Sequence, residues 1–201
     1  MRIGVVSVQG AFHEHRVALA AASEHAGIEA DVVEVRRLDQ AEACDGFVLP
    51  GGESTAIYKL LVSSGLFDHL RERIEASTPV LATCAGAILL SSKGDEQVAR
   101  TGTKLLGALD AAVDRNAFGR QRESFEAGLA IPALGEAPFP GVFIRAPAFR
   151  EVWGRAKPWA TLPDGQVVGV RQEHLLALTF HPELAPDPRI HAWFLDLVQD
   201  A

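Results

Sequence analysis

The sequence is short of cysteine, of clustered basic residues and of long apolar runs, and each shortage excludes a class of protein. Two cysteines, Cys44 and Cys84, in 201 residues allow at most one bridge. No disulfide framework is available, and a reduced, cytoplasmic setting is expected. No stretch approaches the ~18 consecutive apolar residues needed to cross a bilayer. Lys and Arg are outnumbered 19 to 26 by Asp and Glu, giving a net charge of −7. The basic residues form no cluster, which argues against nucleic acid and anionic membrane as partners. Met1-Arg2-Ile3-Gly4-Val5 enters a strand at once and carries no secretory-signal pattern. His13, His15, His25, His69, His174 and His191 lack metal-ligand spacing and read as surface or packing residues. No internal repeat, low-complexity segment or dividing linker stands out, so a single domain spanning 1–201 is expected.

What is present suffices for a large core: 48% of residues are hydrophobic and 22% charged. Ile3 to Val8 is nearly continuous in apolar character, as in a parallel strand covered on both faces. A helix from about His13 to Ala26 is stopped by Gly27. Glu29 to Val35 alternates and is β-branched, predicting a second strand. Phe47-Val48-Leu49 predicts a third strand, ending at Pro50-Gly51-Gly52. Ser54 and Thr55 are candidate N-caps for a helix Ala56 to Val62, and a further helix covers about Leu66 to Ala76. Pro79 to Ala82 then reads as a buried strand. Strands alternating with helices at this spacing mean βαβ units and a parallel sheet. From about Leu105 the texture changes to short segments separated by Gly and Pro, expected as antiparallel strands and loops packed on the same sheet. Gln166 to Arg171 and Leu175 to Phe180 should be neighbours there. A last helix, about Pro188 to Gln199, places Ile190, Trp193, Phe194, Leu197 and Val198 at helical spacing. The fold expected is therefore a three-layer α/β architecture, with a mostly parallel central sheet flanked by helices and antiparallel strands added in the C-terminal half.

Three short stretches carry chemistry. Thr83-Cys84-Ala85-Gly86-Ala87 sits at a strand-to-helix junction, with small residues after the cysteine. That is the layout of a nucleophile elbow, where a tight turn exposes the nucleophile and the helix N-terminus favours a negatively charged sulfur. A buried structural cysteine has the same local signature. His181-Pro182-Glu183 follows an apolar strand, and residues i and i+2 of an extended chain point the same way. Pro182 pushes His181 toward extended geometry, so an imidazole can be presented with a carboxylate beside it. A base near the cysteine, oriented by a third group, is what thiol catalysis needs. Alone, the tripeptide reads as a solvated loop. Pro50-Gly51-Gly52-Glu53-Ser54 lies at the C-terminal end of a parallel strand, where open α/β sheets bind ligands. The N–H groups of Gly51 and Gly52, with that of Ala85, could form an oxyanion hole. A plain glycine turn is the competing reading. No Gly-Lys-Ser/Thr follows, so it is not a phosphate loop.

Taken together, Leu49 to Thr55 (Leu-Pro-Gly-Gly-Glu-Ser-Thr), Thr83 to Gly86 (Thr-Cys-Ala-Gly) and Phe180 to Leu184 (Phe-His-Pro-Glu-Leu) resemble the class I, triad glutamine amidotransferases. More narrowly, Val8 to Phe12 with Glu14-His15, Arg115 to Gln121, Ser124 to Glu126 and Phe143 to Pro147 resemble the glutaminase subunits of pyridoxal 5′-phosphate synthases. The resemblance spans essentially the whole chain. It implies Cys84 as nucleophile, His181 as base and then acid, and Glu183 as the carboxylate that orients it. It also implies that L-glutamine is held by Gly52, Glu53, Ser54, Arg115, Ile144 and Arg145. Glutamine carries an α-carboxylate and an α-ammonium, which call for a guanidinium and an acceptor; Glu53 also reads as no more than a charge at a helix start. The implied partner is a (β/α)8-barrel synthase subunit that receives the ammonia, docking near Gln9 and Gly10 and ordering the oxyanion hole. No metal or bound cofactor is called for. One departure is visible: Ala82 stands where the family usually has Gly. Cys44 has no visible base and reads as inert. Two rivals share the triad fold: the glutaminase subunit of another pathway, such as histidine biosynthesis, and a catalytically silent regulatory subunit.

Overall fold

A computed structural model describes residues 1–115 and 124–201. Most of the Arg115 to Gln121 block therefore lies outside the described residues. The elements run in the order β1 (Arg2–Val6), α1 (Phe12–Ala26), β2 (Asp31–Val35), α2 (Leu38–Ala41), β3 (Gly46–Leu49), α3 (Ser54–Ser63), α4 (Leu66–Glu75) and β4 (Val80–Thr83). Then come α5 (Ala85–Leu90), β5 (Ser91–Lys93), α6 (Glu96–Arg100), β6 (Leu109–Asp114), β7 (Ser124–Leu129), β8 (Phe139–Ile144) and β9 (Ala148–Val152). The chain closes with β10 (Lys157–Thr161), β11 (Val167–Gln172), β12 (Leu175–Leu178) and α7 (Arg189–Gln199). Among the described residues no helix is long and apolar enough to cross a membrane.

The main sheet has seven strands in the order β10-β11-β12-β4-β3-β1-β2. The five from β12 to β2 are mutually parallel, and β10 and β11 add an antiparallel edge. β3, β4 and β12 are buried at every position, because helices cover both faces. Side chains alternate across a strand, so one strand feeds two cores. Phe47, Leu49, Val80, Ala82, Leu175 and Ala177 face a core with Ile57, Leu61 and Leu70 of α3 and α4. Val48, Leu81, Leu176 and Leu178, with Ile3 and Val5, face the opposite core with Leu19 of α1 and Ile190 and Phe194 of α7. Each fully buried side chain of this size contributes about 1.5–3 kcal/mol. Ala82 is fully buried in the first core, which takes its methyl group.

Helix boundaries agree with the sequence signals within two residues, and Gly27 caps α1 in the left-handed conformation, φ 66°. The start of α3 differs. Neither Ser54 nor Thr55 caps it; the Glu53 carboxylate accepts from the N–H groups of Thr55 at 3.1 Å and Ala56 at 2.8 Å. A carboxylate suits that position because it satisfies two orphan donors and complements the helix dipole. The second half also differs. β11 and β12 do pair, and β12 joins the main sheet parallel to β4, but of the antiparallel strands only β10 and β11 extend that sheet. β5-β6-β9 form a separate three-stranded sheet and β7-β8 a separate hairpin. These short segments carry enough apolar side chains, such as Phe139, Phe143 and Phe149, to make their own contacts with the two cores.

Candidate active site

Four neighbouring strands, β12, β4, β3 and β1, point their C-terminal ends the same way and hand off to His181, Cys84, Gly51-Gly52 and Gln9-Gly10. Sequence neighbours could not do this; sheet order does. Cys84 follows β4 with φ 46° and ψ −106°, a conformation rarely open to a residue with a side chain and costing about 1–3 kcal/mol. Two contacts hold it there. Its N–H donates to the Leu178 carbonyl of β12 at 2.8 Å. Beyond it, Gly86 presses against the end of β3 so closely that a Cβ would overlap the Leu49 carbonyl oxygen. The small residues after the cysteine are thus a packing requirement.

His181 Nδ1 donates to Glu183 Oε1 at 2.7 Å, and the carboxylate fixes that tautomer. His181 and Cys84 close over Gly51, where a Cβ would lie 2.6 Å from His181 Cε1 and 3.1 Å from Cys84 Cβ. Burial opposes charge on His181, but hydrogen bonds with Cys84 and Glu183 outweigh it and push the pKa up to about 10. Glu183 is buried as well; burial works against its ionisation, yet the histidines around it hold its carboxyl below the usual range.

Behind this pair lie two histidines that their spacing in the sequence marks only as surface or packing residues. His15, fully buried on α1, places Nε2 3.0 Å from Thr83 Oγ1 and 3.3 Å from Glu183 Oε2. Its Nδ1 meets Nε2 of His191, fully buried on α7, at 3.0 Å. Burial lowers the pKa of both rings, that of His191 to about 3. The available signal was the helical phase of α1: His15, Leu19 and Ala22 share its inward face.

The cavity in front of Cys84 has a volume of about 450 Å³, and its lining includes Gly52, Glu53, Ser54, Arg115, Ile144 and Arg145 with Cys84, Ala85 and His181. Every residue expected to hold the ligand is brought there. Arg115 donates to Glu53 Oε1 at 3.1 Å across the rim. Burial tends to raise the Glu53 pKa, but the Thr55 and Ala56 N–H groups and Arg115 bring it below the usual range. Ser54 Oγ is buried with no partner among the described residues. Gly51 is placed differently from Gly52 and Ala85: it does not line the cavity, and its N–H donates to Thr83 Oγ1 at 3.1 Å. The Gly52 N–H has no protein acceptor among the described residues, and Ala85 opens α5, where an N–H has no intrahelical partner. Gln9 and Gly10 clasp this turn. Gln9 Oε1 accepts from the Glu53 N–H at 3.0 Å, and the Ala11 N–H donates to the Gly51 carbonyl at 3.1 Å.

A larger cavity, about 580 Å³, lies among Met1, Asp45, Arg73 and Pro79 at the opposite edge of the sheet, and neither cysteine nor histidine is among the described residues that line it. Cys44 is also unsuited to attack: burial pushes its thiol up to about 11. Among the described residues no group of three His, Cys, Asp or Glu is placed to hold a metal.

Known proteins resemble this chain over nearly its whole length. The profile of the SNO glutamine amidotransferase family matches residues 5–200. Pyridoxal 5′-phosphate synthase subunit PdxT of Archaeoglobus fulgidus is 50% identical over 197 residues, and that of Methanosarcina mazei 47% over 198, each covering 98% of both chains. A crystal structure described as a glutamine amidotransferase superposes with a TM-score of 0.85 at 44% identity, covering 98% of both chains. A putative GMP synthase component from Thermoplasma acidophilum, at 16% identity and a TM-score of 0.62, shares the fold.

Proposed function

The chain belongs to the SNO glutamine amidotransferase family, and from that premise we propose that it is the glutaminase subunit of a pyridoxal 5′-phosphate synthase, acting over 1–201 as one domain. The observation that carries the reading is the convergence of Cys84 and the His181–Glu183 pair on the cavity that gathers Arg115, Arg145 and the unpartnered Ser54 hydroxyl.

Glutamine enters with its side-chain carboxamide toward Cys84. Its α-carboxylate meets Arg115 or Arg145, its α-ammonium meets Glu53, and Ser54 Oγ gains the hydrogen bond it lacks. The Cys84 proton passes to His181, and the sulfur attacks the carboxamide carbon. The carbonyl electron pair moves onto oxygen, where the N–H groups of Gly52 and Ala85 receive the charge. Each such donor is worth about 10²–10³ in rate. Collapse breaks the C–N bond as His181 protonates the leaving nitrogen, releasing ammonia and leaving a γ-glutamyl thioester. His181 then takes a proton from water, hydroxide adds to the thioester, and the C–S bond breaks to give glutamate and the starting thiol. Glu183 stays ionised throughout and stabilises the imidazolium.

The ammonia passes to a synthase subunit, a (β/α)8 barrel that docks where Gln9 and Gly10 hold the Gly51–Glu53 turn and sets the oxyanion donors. The relatives' subunit names support the partnership, and the clasp of Gln9 on the turn supports the docking place. The test is glutamate release by wild type and Cys84→Ala, with and without the synthase subunit, and labelling by diazo-oxo-norleucine. We expect release that rises with the synthase, abolished by Cys84→Ala, and one adduct on Cys84. No adduct in the complex would overturn the reading.

A further inference from the structure

The buried pair His15–His191 has no part in the chemistry above, yet it touches both halves of the site. We infer that His15 is a positioning residue: a neutral imidazole carrying its proton on Nε2, which braces Glu183 and Thr83 together and thereby holds the base and the Gly51 turn in register. This rests on the proposed roles of Cys84, His181 and Glu183.

The geometry allows two neutral tautomers, and the surroundings choose between them. Nε2 of His15 lies 3.3 Å from Glu183 Oε2, an oxygen with no hydrogen bond of regular geometry, and 3.0 Å from Thr83 Oγ1. With the proton on Nε2, an N–H faces the carboxylate and the Thr83 oxygen together. With the proton on Nδ1, the Thr83 hydroxyl can donate to Nε2, but the nitrogen lone pair still faces a fully buried carboxylate oxygen at 3.3 Å, a repulsion in a low-dielectric site.

His191 weights the choice the same way. Its Nε2 meets His15 Nδ1 at 3.0 Å, and its own Nδ1 is buried with no partner among the described residues. If His15 accepts at Nδ1, His191 donates from Nε2 and only a lone pair is left unpartnered. If His15 donates from Nδ1, His191 must accept at Nε2 and carry a buried, unpaired N–H, since a neutral imidazole holds one proton. A doubly protonated His15 meets the same objection and is also fully desolvated. The other ionisable groups acting on His15 are His181, which disfavours a second proton, and Glu14, which favours one from the same helix.

The consequence reaches both arms of the reaction. Oε1 of Glu183 is hydrogen-bonded to His181 and Oε2 lies 3.3 Å from His15 Nε2, so an N–H there opposes rotation of the carboxylate away from the base. Thr83 Oγ1 also accepts from the Gly51 N–H at 3.1 Å, so the same imidazole steadies the turn that carries Gly52.

Three measurements test this, two of them independent of glutaminase activity. Nitrogen NMR of the ¹⁵N-histidine-labelled protein at pH 7 should show His15 protonated on Nε2 alone; a proton on Nδ1 overturns the proposal. Iodoacetamide alkylation of Cys84 against pH reads its pairing with the His181 imidazolium, which faces Cys84 and Glu183, with His15 behind Glu183. In His15→Phe, Glu183 loses support, the imidazolium is held less well, and the acid limb should move up by about one pH unit. His15→Gln, which restores an N–H near Nε2, should keep the limb within about 0.3 unit. In the complex, kcat of His15→Phe should fall about tenfold with KM unchanged within twofold. An unshifted limb in folded His15→Phe, or a Gln variant as impaired as Phe, overturns the proposal. Should His15→Phe fail to fold, the NMR tautomer and the Gln limb decide. A wild-type protein without glutaminase activity would sink the proposed function while leaving the tautomer and alkylation readouts in place.

Discussion

Replacing Gly86 by alanine adds one methyl group and should cost the enzyme most of its activity. The added Cβ would overlap the Leu49 carbonyl oxygen and sit 2.9 Å from the carbonyl carbon. Relaxed carbon–oxygen contacts lie at about 3.3–3.6 Å, so the first turn of α5 must retreat from β3 by about 1 Å. Leu49 is central in the sheet and fully packed, so the movable side is the elbow, and Cys84 moves with it. A displacement of about 1 Å from attack geometry costs about a hundredfold in rate, or about 2.7 kcal/mol. Overpacking should lower stability by about 1–3 kcal/mol, which for a chain of this size shifts the melting midpoint by about 2–12 °C. The assay is kcat for glutamate release in the synthase complex, beside a thermal melt. Gly128→Ala is the control, because its nearest neighbour, Pro138 Cβ, would lie 3.5 Å away, in ordinary contact. A Gly86→Ala enzyme that folds and keeps kcat within threefold of wild type would refute the view that this contact sets the nucleophile.

Arg115→Ala should raise KM for glutamine about 10- to 100-fold with a smaller effect on kcat, since a hydrogen bond to a charged group is worth about 1.5–3 kcal/mol; steady-state kinetics check it, and a change confined to kcat would move Arg115 out of substrate binding. The pKa of His181, about 10 when folded against 6.5 for the free side chain, predicts a pH dependence of stability. A raised folded pKa means the contribution is complete below pH 6.5 and is lost as pH climbs through about 10. Melting midpoints should therefore decline over that window, and Cys84→Ala, which removes one of the two groups responsible, should flatten the decline; parallel slopes for the two proteins would contradict the assignment.

The parallel sheet was legible because β1, β3, β4 and β12 need side chains that are apolar on both faces, and that requirement is written locally. The elbow was legible for a similar reason: a tight turn beside β3 admits only small residues at Gly86. The cap of α3 was misread. Ser54 and Thr55 are good caps by type, but Glu53 precedes them and reaches both donors, while also meeting Arg115 from a distant strand end. The separate β5-β6-β9 sheet left no local mark because its pairings join segments far apart in the chain. His15 shows the sharper limit. Spacing tests for histidine look for other ligands nearby in sequence, whereas its partners come from β4, from the segment after β12 and from α7. Gly51 shows the converse, a donor of the right type in the right turn that the Thr83 hydroxyl already occupies.

The parallel placement of β12 against β4 also orders events in time. Cys84 is synthesised and its strand can pair with β3 while His181 has yet to be made. Until β12 docks along β4, the elbow lacks the Leu178 carbonyl that holds the Cys84 N–H, and the sulfur has no base. The long loop this pairing closes makes it one of the slower contacts to form. On the proposed assignment, a growing or partly folded chain carries an unarmed thiol, and nucleophilicity at Cys84 would report that the centre of the sheet is complete.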